Sequence, residues 1–247
     1  MSPQFKKSLT YTWADKMLIA KDIYLKYGNS QILNGVSVEA YVGQVTAVMG
    51  TNGVGKTSLI KALSGSHYRT KGNISLNGEP LGVIPAHLLA RKGVALVPQG
   101  REIFPLLTVK ENLEIGFACL PSYKRKIRDE IYELFPVLKE MQYRRGGDLS
   151  GGQQQQLAIG RALVTQPKLL LMDEPTEGIQ PNIIQQIGKV IEYLRSNGEM
   201  AIVLVEQYFE FAYRLADRFT VLERGSVIKD GAKSELTKEE LLAAVSV

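Results

Sequence analysis

Gly50-Thr51-Asn52-Gly53-Val54-Gly55-Lys56-Thr57 follows the apolar run Val45-Thr46-Ala47-Val48 and precedes Leu59-Ile60-Lys61-Ala62-Leu63. The stretch fits G-x-x-x-x-G-K-[ST] with a strand before it and a helix after it, the context that pattern requires. Its glycines allow a backbone turn tight enough to aim N–H groups inward, and the positive end of the following helix adds to the same concavity. Phosphate oxygens belong in such a cradle. Lys56 is positioned to reach β- and γ-phosphates, and the Thr57 hydroxyl to ligate Mg²⁺. The expected fold is therefore α/β, a phosphate-loop nucleotide-binding fold built on a mostly parallel core sheet.

The rest of the chain is read outward from that loop. Downstream, Leu169-Leu170-Leu171-Met172-Asp173-Glu174 is a buried-strand run ending in two carboxylates. In a nucleotide-binding sheet the first acid holds Mg²⁺ through water and the second faces the γ-phosphate, which makes Glu174 the candidate general base. Between these motifs, Gly93-Val94-Ala95-Leu96-Val97 is a compact strand ending in Pro98-Gln99-Gly100. A polar residue leaving the carboxyl end of a parallel strand points into the ligand crevice, so Gln99 is a candidate for Mg²⁺ or the attacking water. Leu149-Ser150-Gly151-Gly152-Gln153 precedes another helical pattern and makes a second anion cradle.

Residues from about 106 to 160 change character. Thr108 with Glu111 forms a capping-box pattern, and helical spacing continues from the basic run Lys124–Arg128 to Met141. This predicts a helical subdomain inserted into the α/β body, with the basic run as a solvated helix face. At the other end, Met17–Leu25 and Ile32–Val38 read as two strands about a Gly28-Asn29-Ser30 turn, and Asn73–Leu76 closes on Asn77-Gly78 as a hairpin. These predict an N-terminal antiparallel part. Tyr27, ahead of that first turn, is a candidate to lie flat on adenine. Later strands are expected at 201–205, 219–222 and 226–228. Residues 182–195, 209–218 and the tail from Ser234 are expected to be helical.

Of the 247 residues, 45% are hydrophobic, enough for a sizeable core, and 30 Lys+Arg against 25 Asp+Glu give a net charge of +5. That excess suits nucleotide handling or a place near an anionic membrane surface and is too small to argue for nucleic acid. The single cysteine, Cys119, cannot form an internal disulfide and reads as a small apolar residue. No run of about 18 apolar residues exists to span a bilayer. Residues 1–16 are polar, lack an apolar signal core and are expected to be a flexible extension, with one domain over 17–247.

Together these motifs resemble the ATP-binding cassette family across nearly the whole chain from Met17. The resemblance makes Gly50 to Thr57 the Walker A loop with Ser58 also binding ATP, Tyr27 the adenine-facing aromatic, Gln99 the Q-loop glutamine and Leu149–Gln153 the signature. It makes Leu169–Asp173 the Walker B strand, Glu174 the catalytic carboxylate and Thr176–Gln180 the D-loop. In that family two cassettes pair head to tail, so that Leu149, Ser150, Gly151, Gly152 and Gln153 act in trans on ATP held by the partner's Walker A. The implied cofactors are ATP and Mg²⁺, the latter held by Thr57 and, partly through water, by Gln99 and Asp173.

The wording around Asn52–Ser58, Val97–Pro105 and Gly151–Leu157 resembles the branched-chain amino acid importer group and within it the urea-import branch. This implies a peripheral ATPase on the cytoplasmic face of the inner membrane, with a sibling or identical cassette, two transmembrane permease subunits and, indirectly, a periplasmic solute-binding protein. No nucleic-acid partner is expected. The implied solute is urea, with a branched-chain amino acid or short amide as the alternative. A soluble cassette ATPase in cluster assembly is the competing class. Two departures from the family pattern stand out: Gln207 occupies the switch position usually held by His, and Gln180 ends the D-loop where Asp is common. His67 and His87 read as surface residues.

Overall fold

The computed structural model describes residues 16–245. The extension expected at 1–16 thus lies outside the described residues except for Lys16, which belongs to the first strand and ion-pairs with Glu39 at 2.8 Å. Strands β1 (Lys16–Tyr27) and β2 (Ser30–Tyr41) pair antiparallel, and both run further than their apolar patterns suggested. Next come β3 (Val45–Met49), α1 (Lys56–Ser64), and β4 (Lys71–Leu76) with β5 (Glu79–Leu81) turning at Asn77-Gly78. The first sheet has the order β2-β1-β4-β5. Pro80 cannot donate to a ladder, which suits β5 to the edge it occupies and also hides so short a strand from periodicity.

The chain continues through α2 (Ala86–Arg91), β6 (Val94–Val97), α3 (Val109–Glu114), α4 (Asp129–Leu134), α5 (Pro136–Glu140) and α6 (Gly151–Val164). After these follow β7 (Leu169–Asp173), α7 (Pro181–Ser196), β8 (Ala201–Val205), α8 (Phe209–Leu215), β9 (Arg218–Glu223), β10 (Ser226–Ala232) and α9 (Lys238–Val245). The capping box on α3 is present as expected, with Thr108 Oγ1 accepting from Glu111 N and the Glu111 carboxylate accepting from Thr108 N. The helix expected from Lys124 to Met141 is instead broken in two. Pro136 removes a backbone donor and disfavours helical geometry at Phe135, whose φ of −134° and ψ of 73° separate α4 from α5. The basic run Lys124–Arg128 is exposed but lies ahead of α4, with only Lys124 in a short 3-10 turn, so it is not the face of a helix running to Met141.

The second sheet has the order β10-β9-β3-β8-β7-β6, with every pair parallel except β10–β9. Its inner strands β3, β7 and β8 are buried on both faces, which is why they read as continuous apolar runs. Along β7, Leu170 and Met172 face the cluster made by α6, α7 and α8, while Leu169 and Leu171 face the cluster under α1 and the antiparallel sheet. Each such side chain contributes about 1.5–3 kcal/mol on burial. The result is an α/β architecture of an antiparallel sheet, a mostly parallel sheet and helices. In-register pairing brings the carboxyl ends of β3, β6, β7 and β8 to one edge, where ligands bind in open parallel sheets. Among the described residues, no helix is long and apolar enough to cross a membrane.

Candidate active site

At that edge β3 gives way to the loop Gly50–Gly55. Gly50, Gly53 and Gly55 have φ of 145°, 82° and 109°. A Cβ on Gly50 would lie 2.4 Å from the Leu222 carbonyl oxygen, so the loop can pass over β9 only with glycine there. No side-chain hydrogen bond caps α1. The N–H groups of its first turn are thus left without a side-chain acceptor, as at a helix start that binds an anion.

Lys56 opens α1 and is 4% exposed. Its Nζ donates to the carbonyls of Gly50 at 2.8 Å and Thr51 at 3.0 Å, and lies 3.2 Å from Glu174 Oε1. Glu174, 7% exposed, follows β7 with a φ of 46°. The left-handed turn costs a non-glycine residue about 1–3 kcal/mol and brings its carboxylate to face the phosphate loop instead of continuing the strand. Its backbone is held by a bond from Glu174 N to Val205 O at 2.9 Å. Beside it, Thr57 Oγ1 donates to Asp173 Oδ1 at 3.4 Å. Burial is the main cause that pushes the Asp173 carboxyl up to about 6, with the Glu174 charge adding to it, while Thr57, Lys56 and Lys61 pull the other way. The Thr57 hydroxyl and Asp173 carboxylate are hard oxygen donors of the kind Mg²⁺ prefers.

Gln99, beyond β6, joins the same group: its Nε2 donates to Glu174 Oε2 at 3.2 Å and to Glu177 Oε2 at 3.0 Å. Glu177 was not singled out by sequence, because nothing in its neighbours signals that Gln99 reaches it. Gln207 sits just past β8, whose Val205 pairs with Asp173, and it is exposed. Immediately before it, Glu206 is fully buried. Its Oε1 accepts from Thr176 N at 3.1 Å, and its Oε2 from Gln207 N at 3.2 Å and Tyr208 N at 3.3 Å. Burial pushes this carboxyl to about 7, against the Thr176 hydroxyl and the backbone donors. Sequence reading passed over Glu206, since its adjacent strand gave no sign of an inward-facing acid.

Tyr27 is 40% exposed at the end of β1. His67, expected to be a plain surface residue, packs on it with ring centroids 4.5 Å apart and planes tilted by 35°. His87 is exposed as expected.

The segment Leu149–Gln153 forms the start of α6. Ser150 Oγ accepts from Gln153 N at 3.4 Å while Gln153 Oε1 accepts from Ser150 N at 2.8 Å, a capping box that sequence did not single out. A Cβ on Gly152 would come 2.8 Å from Ile183 of α7, so glycine lets the two helices approach. Arg101, with a φ of 71°, lays its guanidinium against Gly151 and bonds Gln154 Oε1 at 3.5 Å. Among the described residues no hydrogen bond or ion pair joins this segment to the phosphate loop. The structure thus gathers Lys56, Thr57, Gln99, Asp173 and Glu174, and leaves Leu149–Gln153 as a separate cradle. It has what phosphoryl transfer asks of a protein: a phosphate cradle with a buried cation, oxygen donors for a metal, and a carboxylate beside them.

Comparison with known proteins gives a concordant picture. A family model described as "ABC transporter" matches residues 33–177. The chain is 46% identical over 214 residues to the high-affinity branched-chain amino acid transport ATP-binding protein BraG of Pseudomonas aeruginosa, covering 86% of this chain and 91% of that protein. It is 35% identical over 217 residues to the probable branched-chain amino acid transport ATP-binding protein LivF of Archaeoglobus fulgidus, covering 87% and 91%. Among solved structures, a nucleotide-free ATP-binding cassette from an ABC transporter superposes with a TM-score of 0.79 at 26% identity, covering 94% of this chain and 96% of that one.

Proposed function

Since the chain belongs to the ABC transporter family, whose members hydrolyse ATP to drive transport, we propose that it is the motor subunit of an importer for a small polar solute. The observation that carries this is the buried meeting of Lys56 with Glu174 at 3.2 Å, with Gln99 3.2 Å from the same carboxylate. Three distant segments converge there on the place where a γ-phosphate leaves the phosphate loop.

In this reading Gly50, Thr51, Asn52, Gly53, Val54, Gly55 and Ser58 wrap the phosphates, and Tyr27 stacks on the adenine. Lys56 exchanges Glu174 for phosphate oxygens, which frees the carboxylate to accept a proton from the attacking water. Gln99 orients that water, and Gln207 donates its amide N–H to a γ-phosphate oxygen, a role open to an uncharged side chain. Thr57, with Asp173 and Gln99 acting partly through water, would hold Mg²⁺, which when bound offsets the charge on the phosphates. Leu149 to Gln153 complete the site of a second cassette, identical or sibling, while the partner's equivalent segment completes this one.

We take residues 17–247 as one ATPase domain, with the inserted helical part at about 106–160 turned toward a permease pair. Exposed Leu106 and Tyr143 lie in that part and exposed Phe104 just ahead of it, on the segment that follows Gln99, and they suit docking to membrane subunits. The chain then sits peripherally on the cytoplasmic face of the inner membrane, served indirectly by a periplasmic solute-binding protein. For the solute, the loop wording supports urea, whereas BraG and LivF are named for branched-chain amino acids. Native membranes carrying a tagged chain test the motor role: a polytopic membrane protein should co-purify, and no such partner would sink it. Uptake of labelled urea and labelled leucine, compared with and without the chain, chooses the solute.

A further inference from the structure

Glu206 is an acid in a place where packing does not ask for one. It has no solvent exposure and follows the wholly apolar β8. Removing a carboxylate from water costs several kcal/mol unless specific partners repay it. The partners here are backbone N–H groups from two loops that flank the candidate active site. Oε2 accepts from Gln207 N and Tyr208 N, at the entry to α8. Oε1 accepts from Thr176 N, which lies 30 residues away in the chain. A local turn ahead of α8 explains the bonds to Oε2. It does not explain the bond to Oε1.

The loop that Oε1 holds begins two residues after Glu174, and its turn is closed by Glu177 N to Glu174 O and Ile179 N to Thr176 O, both at 3.2 Å. The segment that Oε2 holds carries Gln207. Glu206 itself is anchored to the strand feeding the phosphate loop, through Glu206 N to Val48 O at 3.2 Å. One carboxylate therefore joins the 176–180 loop and the 207–208 segment across a gap that no other side-chain hydrogen bond spans among the described residues. We propose that Glu206 is a positioning residue for ATP hydrolysis, tying these two segments so that a partner cassette engaging the 176–180 loop also sets the placement of Gln207. This rests on the reading of the chain as a paired-cassette ATPase.

Two substitutions separate linking from support of the local turn. Glu206→Gln keeps the volume but offers a single acceptor oxygen, so the amide serves Thr176 or the 207–208 pair, and its NH₂ group opposes the N–H groups on the other side. Glu206→Asp keeps both oxygens on a shorter stem, which can still cap Gln207 and Tyr208 while withdrawing from Thr176. The full-length chain is assayed at about pH 8 for ATP turnover and, independently of turnover, for amide hydrogen exchange.

The expected result is a kcat lower by roughly 10- to 100-fold in both variants, the range for losing a hydrogen bond to a charged group, with KM for ATP within about twofold. Exchange should quicken across the 176–180 loop in Glu206→Asp, and on whichever of the two sides the amide abandons in Glu206→Gln. If Glu206→Asp turns over at the wild-type rate, or if its exchange changes only at 207–208, Glu206 only holds the local turn ahead of α8 and the proposal is overturned. Failure of the ATPase reading looks different: the wild type would then not hydrolyse ATP, and the exchange experiment alone would decide the link. If Glu206→Gln does not fold, Glu206→Asp carries both measurements.

Discussion

Replacing Glu206 by Gln should flatten the dependence of thermal stability on pH. Burial raises this carboxyl from an ordinary 4.5 to about 7, the hydrogen bonds from Thr176, Tyr208 and Gln207 opposing the rise. Between those values the folded chain keeps a proton that the unfolded chain has released. The folded state thus binds more protons, and stability falls as pH increases. The contribution is fully present below pH 4.5 and is lost as pH passes through about 7. At about 1.4 kcal/mol per tenfold change in proton affinity, the whole interval is worth about 3 kcal/mol, of which about 2.5 kcal/mol falls between about pH 5 and pH 8. For a chain of this size that is roughly 5–10 °C in Tm. The assay is thermal unfolding followed by circular dichroism across the pH series, without nucleotide, for the wild type and Glu206→Gln. Asp173, raised to about 6 mainly by burial, titrates in both proteins and cancels in the comparison. Wild-type and variant curves that run parallel from acid to alkaline pH would refute the reasoning, because they would show that Glu206 holds no proton that the unfolded chain lacks.

The other expectations concern ATP. Lys56→Ala removes a buried cation that already bonds two loop carbonyls and Glu174, and should weaken ATP binding by roughly 10- to 100-fold; near-normal affinity in equilibrium dialysis would end its phosphate role. Tyr27→Ala should loosen the nucleotide by roughly 5- to 100-fold, since stacking on a base is worth about 1–3 kcal/mol, and fluorescence titration with an adenine nucleotide reads this directly. An unchanged constant would leave Tyr27 as packing for His67. Gln207→Ala should lower kcat while sparing KM, and turnover equal to wild type would mean that Gln207 contributes nothing at the switch position.

The readable parts of this chain were those where chemistry is written in spacing. The phosphate loop declared itself because glycines and Lys56 stand at fixed offsets between a strand and a helix, and β7 did so because a strand buried on both faces is apolar throughout. Local rules also worked where one side chain decides, as in the Thr108 capping box. They failed where competing local signals met: helical spacing runs from Ile127 through Leu138, yet Pro136 divides it. What stayed hidden was the set of contacts between distant segments. Nothing near Glu177 indicates that Gln99 reaches it, and nothing in Val-Glu-Gln marks Glu206 as buried among three backbone donors. His67 against Tyr27 is of the same kind, a pairing across 40 residues of chain made by folding β1 beside the end of α1. Burial and backbone donors follow from tertiary placement, which periodicity does not encode.

The proposed hydrolysis turns on Glu174, whose left-handed turn carries its carboxylate onto Lys56 and Gln99. The most direct test measures ATP binding and steady-state hydrolysis together in Glu174→Gln. The amide keeps the shape and removes the base, so binding should persist while turnover falls by about 10²–10⁴, with ATP holding the chain in a dimer. Hydrolysis at the wild-type rate by the Glu174→Gln protein would contradict the account at its centre.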